Sequence, residues 1–234
     1  MKYIQSLNFD WIEILNFYER PFRAKFIPAK IWNELDSYRN DPDGLVNYVK
    51  KWRTKIVWKK ELSKAKMYET YIAIGGEYDP EKTQSILFIY TDNYKHFNFT
   101  KDSWDKFKYR FLQTLMHEII HCRQYYGKHE DFTKGRVYFK KTGIPKIDNN
   151  REYHAGKDEI EAYAHCVFLD FKTFRPNVDI PTLISRAKTH SDSKTLHWIL
   201  RTFNYDYRNN KAIPKIMQQI IKWDRKYKRI SSPK

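Results

Sequence analysis

The feature that most constrains this chain is the pentapeptide His117-Glu118-Ile119-Ile120-His121, set within the run from Trp104 to Tyr126. Residues four apart on an α-helix stand one turn apart on the same face, so both imidazoles can reach one metal ion with Glu118 beside them. Phe107, Phe111, Leu115 and Ile119 recur at helical spacing, and Met116 and Ile120 widen the stripe, which predicts a largely buried helix. The two histidines fall on a separate polar line of that helix. Two imidazoles and a carboxylate form a donor set that binds zinc and leaves one position open, where the pKa of water falls to roughly 7. Glu118 then stands where a general base is needed. The competing reading of these residues is a pair of core histidines satisfied by hydrogen bonds, or a solvated His/Glu face.

A third donor has to come from elsewhere. The next helix-like segment downstream is Asp158 to Lys172, where Ile160, Ala164, Val167, Phe168 and Phe171 form an apolar stripe and Glu161 and His165 share another line. Glu159 turns with Tyr163 instead, so only one of the two glutamates can look at a metal. Asp158 and Glu161 also have the spacing of a capping box. Glu161, Glu159 and His165 therefore stay open as the third donor.

The combination of the His-Glu-x-x-His helix with Glu161-Ala162-Tyr163-Ala164 resembles the gluzincin metallopeptidases of the zincin superfamily, whose second active-site helix carries a ligand Glu followed by small and aromatic residues. The resemblance rests on these two short segments. It implies an α+β, zincin-like domain with an active-site helix, a small β-sheet and additional helices at both ends. It also implies Zn2+ held by His117, His121 and Glu161, and hydrolysis of peptide bonds with Glu118 as the base. Gluzincins use a Tyr, His or Arg to stabilise the oxyanion, which makes Arg151, Tyr153 and His154 candidates, with His190 and His197 for a more distal histidine. His165 departs from the pattern, since this position usually carries an acidic residue that supports a ligand. His129-Glu130-Asp131-Phe132 resembles the SprT-like proteases, whose third ligand is a His in a His-Gly-x-x-aromatic setting, with Glu130 in place of the glycine. Small size and composition are similar to those of phage-encoded zincin-like proteins, which implies the host cytoplasm or a virion.

Length and composition set the frame. A chain of 234 residues suggests one domain over 1–234, with an N-terminal helical region over 1–66 and a C-terminal helical region over about 176–230. The 18 Tyr, 15 Phe and 7 Trp supply a core despite the high charge. Cys122 and Cys166 are too few for a disulfide scaffold and read as reduced packing residues in a cytoplasmic protein. The opening residues lack the apolar core of a signal peptide, and no stretch is apolar enough to span a membrane. A formal net charge of +16 draws polyanions, and the second function class is a basic nucleic-acid-associated or virion-type binding protein with a structural or inactive zinc site.

Strand signals are confined to the middle of the chain. Thr70 to Gly76 and Thr83 to Thr91 are rich in β-branched and aromatic residues, with Tyr78-Asp79-Pro80-Glu81-Lys82 between them, which predicts a hairpin. In zincins an edge strand binds extended peptide by β-augmentation, and either Tyr71 to Gly76 or Ser85 to Tyr90 can supply it. The thirty residues from Gly127 to Gly156 read as a long, substrate-facing connection. Amphipathic segments are expected after Pro28, around Pro181 to Ala187, around Leu196 to Leu200, and from Ile213 to Ile230.

Overall fold

The run that carries His117 and His121 forms one continuous helix, Lys101–Lys128, in a computed structural model of the chain. The structure describes residues 29–60, 72–91, 97, 99–128, 151–175, 177–187, 192–205 and 210–231. The segment around Asn8-Phe9-Asp10, His129 with most of its long connection, and His190 lie outside the described residues.

In chain order the elements are α1 (Ala29–Leu35) with a 3-10 turn (Asp36–Tyr38), α2 (Pro42–Lys50), β1 (Thr54–Lys59), β2 (Ile72–Asp79), β3 (Gln84–Thr91) and α3 (Lys101–Lys128). They continue with α4 (Lys157–Phe174), α5 (Ile180–Arg186), α6 (Lys194–Thr202) and α7 (Ala212–Ser231). The class is mixed α and β, with one small three-stranded sheet among the described residues. No helix among the described residues is long and apolar enough to cross a membrane. The chain divides into two compact units, and the division falls inside α3, between Cys122 and Arg123.

In the first unit the sheet order is β1-β3-β2. β2 and β3 form the expected antiparallel hairpin, pairing Ile74 with Ile89 and Gly76 with Leu87. Its turn is closed by Asp79, which accepts from the Lys82 amide at 3.0 Å, and by Thr83 at φ 51°. β1 falls inside residues 1–66, the region expected to be helical, and corrects that expectation; its lysines mask a period-2 pattern. Thr54 and Ile56 point into the core, alternating with exposed Lys55 and half-buried Val57, and the strand pairs in parallel with β3. The Asn40 to Gly44 stretch starts a helix: Asp41 caps α2 through the Gly44 amide at 2.8 Å, and Pro42 occupies the first turn, where its missing N–H is harmless.

An aromatic cluster joins the sheet to α3. Phe97 meets Trp58 of β1 at 5.5 Å and Trp104 and Phe107 of α3 at 5.8 and 5.6 Å. Lys108 is fully buried and is held by Asp36 and Asp105, its ammonium 4.1 Å from the Trp32 ring. A buried cation needs such partners.

The second unit is organised on α4, whose residues are mostly buried. The capping box that the Asp158 and Glu161 spacing allowed does not form; Gly156 is the N-cap, and no side chain caps there. Phe168 stacks on Tyr227 of α7 at 4.8 Å, His165 meets the Tyr227 hydroxyl at 3.2 Å, and the Trp223 indole N–H donates to the Glu161 carbonyl at 3.3 Å. Asp170, also buried, accepts from Ser193, the cap of α6, at 2.6 Å. The amphipathic readings from Pro181 onward match α5, α6 and α7.

Candidate metal centre

His117 and His121 lie well inside α3, one turn apart, and both are buried. Their Nε2 atoms face each other at 3.0 Å, with ring planes at 79°. Two nitrogens bound to one tetrahedral zinc at about 2.0–2.1 Å would be about 3.3 Å apart, so the pair is already close to ligand geometry. The ligand atoms of His117, His121 and Glu159 all lie within 4.8 Å of one another, which makes this buried group able to hold a metal ion.

The carboxylate in that group is Glu159, whereas the gluzincin resemblance pointed to Glu161. Glu161 accepts instead from the Gln124 side chain at 3.1 Å, and the same amide donates to the Asp158 carbonyl at 3.0 Å. His165 is turned toward Tyr227 and Trp223 of α7. The line shared by residues 161 and 165 is thus occupied by structural contacts. Residue 159 lies about 200° away on the helix.

Glu118 is buried beside its two histidines, and its carboxylate meets the backbone of β2. A Cβ at Gly76 would stand 2.5 Å from Oε1 and 2.9 Å from Cγ and Cδ of Glu118. Two residues further along that strand, Tyr78 reaches the Cys122 thiol and acts to lower its pKa. β2 therefore tracks α3, residues 76 and 78 meeting residues 118 and 122. Among the described residues β2 pairs on one side only, with β3, while β3 is paired on both sides. Of the two segments read as a possible edge strand, the one ending at Gly76 lies at the edge.

Burial pushes the Cys122 thiol up to about 12, against the opposing effects of Tyr78 and Arg53. Both cysteines are buried as thiols. Such a thiol is a packing group rather than a thiolate ligand.

The oxyanion candidates separate. Arg151 donates to the Thr202 carbonyl at 2.9 Å, an anchoring role. Tyr153 is 59% exposed. His154 is buried, with its ring 4.9 Å from Tyr153, 5.4 Å from Tyr163 and 4.8 Å from Trp198. Tyr163 follows Glu159 by one turn of α4, and their shared helix face was the only sign of this placement in the sequence. His197 is exposed and meets the Tyr205 hydroxyl at 3.2 Å.

No known family, curated protein or solved structure matches the chain.

Proposed function

We propose that the chain is a zinc-dependent peptidase in which His117, His121 and Glu159 hold the ion and Glu118 is the general base. The observation that carries this reading is the convergence of His117 and His121 Nε2 at 3.0 Å with the Glu159 carboxylate nearby. A group of three donors, two imidazoles and a carboxylate, is the composition of catalytic rather than structural zinc sites. When bound, such an ion polarises a carbonyl and makes water acidic enough to attack near neutral pH.

The chain's own residues supply the rest. Glu118, fixed against Gly76, accepts a proton from the attacking water at its carboxylate and passes it to the leaving amine. β2 offers main-chain hydrogen-bonding groups to an extended peptide, a mode that reads little sequence. Tyr163 and His154, on the side of α4 that carries Glu159, are the groups to donate to the developing oxyanion, and Tyr153 lies beside them.

The decisive experiment measures zinc content and peptide-library cleavage on purified wild type and Glu118→Gln. Stoichiometric zinc in both, with chelator-sensitive cleavage in wild type alone, is expected. Cleavage retained by Glu118→Gln would sink the mechanism, and an inactive wild type with full zinc would favour the binding-protein class.

A further inference from the structure

Helix α7 orders its charges in a way that the metal centre does not use. Its inward residues Ile213, Ile216, Ile220, Trp223 and Tyr227 are buried. Exposed positions include Lys211 just ahead of the helix, then Lys215, Gln218, Lys222 and Arg225. These fall at alternating intervals of four and three residues, which places them in one straight stripe. Neighbours three or four apart stand about 5–6 Å from each other, and Lys211 to Arg225 spans about 21 Å at 1.5 Å per residue. The one acid in the helix sequence is Asp224, which is buried and held by Lys172 at 3.2 Å and Lys228 at 2.7 Å. The stripe itself contains no carboxylate.

Helix stability does not account for this order. Lys211 and Lys215 stand at the positive end of the helix dipole, where a cation is unfavourable, and the first turn carries no acid of its own. Lys211 with Lys215, and Lys222 with Arg225 and Lys226, are like charges three or four apart, an arrangement that weakens a helix. An external anion would reverse the sign of each of these terms.

We propose that the stripe is a docking surface for the phosphodiester backbone of nucleic acid, contacted without regard to sequence. A duplex presents one negative charge per about 1.7 Å of axis, so a stripe of this length faces many phosphates at once, and each lysine that approaches releases a counterion. A lipid surface fits less well. An interfacial helix sinks its apolar face into the bilayer, and the apolar face of α7 is already buried in the protein.

The test uses full-length protein and a short labelled DNA duplex, with anisotropy measured across a salt series. One variant carries Lys211→Gln, Lys215→Gln, Lys222→Gln and Arg225→Gln. A control removes four other exposed cations, Lys55, Lys101, Lys157 and Lys194, also to Gln. The expected result is duplex binding by wild type at low salt, an affinity loss of at least about tenfold in the stripe variant, and a fall of about 3.6 in the magnitude of its log–log salt slope, from four contacts at about 0.9 each. The control keeps most of the slope. No binding by wild type at low salt, equal losses in both variants, or equal binding to anionic vesicles or polyglutamate would overturn the proposal.

Discussion

Glu118 rests its carboxylate on Gly76, so that a methyl group at that glycine would stand 2.5 Å from Oε1. The contact joins the proposed base to the strand proposed to carry substrate. Gly76→Ala must therefore displace the carboxylate. Because a misplacement on the order of 1 Å can cost about 10²-fold, the variant should keep its zinc and lose at least about tenfold in peptide hydrolysis. Unchanged kcat with unchanged zinc would show that Glu118 does not act from this position.

The two glutamates of α4 give the sharpest comparison. Glu159→Gln should lower zinc content under competition with a chelator, because it removes the carboxylate grouped with His117 and His121. Glu161→Gln should leave zinc bound, its carboxylate being an acceptor for Gln124. The reverse pattern would return the ligand role to Glu161.

The Cys122 thiol, raised by burial from 9.0 to about 12, favours the fold as a neutral group. Its contribution is complete below pH 9 and is lost as pH rises from 9 toward 12. At mildly alkaline pH a thiol reagent should label Cys122 in the denatured chain and spare it in the native one. The urea midpoint of wild type should fall across that upper window by more than that of Cys122→Ala. Fast native labelling of Cys122 would contradict the burial argument.

Asp224 has a side chain 6% exposed, between Lys172 at 10% and Lys228 at 63%. Removing the carboxylate leaves Lys172 buried without it, so Asp224→Ala should cost about 3 kcal/mol or more. Lys228→Ala should cost under about 1 kcal/mol, since its ammonium is solvated. Urea unfolding of both variants measures the difference, and equal effects would mean that the inner pair carries little.

Much of this site was legible because helical phase is local. His117, Glu118 and His121 fix their relative directions by spacing alone, and the same arithmetic required that only one of Glu159 and Glu161 could look at a metal. Which one depends on the face that α7 covers, and Trp223 and Tyr227, some sixty residues later, take the side of Glu161 and His165. No local pattern carries that information. β1 escaped notice for a different reason: Lys55 and Lys59 are its outward members, and in a lysine-rich chain they do not stand out from the surrounding run. Gly76 read as the end of a strand, whereas its missing side chain is what admits Glu118.

The long helix that carries the two histidines has a consequence for how the ion would enter and leave. His117 and His121 stand about two turns or more from either end of a 28-residue helix, beyond the fraying of its last turn. Their backbone positions are set by main-chain hydrogen bonds and by the buried residues Leu115, Met116, Ile119 and Ile120. In zinc fingers, by contrast, the metal organises the chain around it. Here stripping and reloading should be exchange at a standing site, reversible under native conditions and fast compared with refolding.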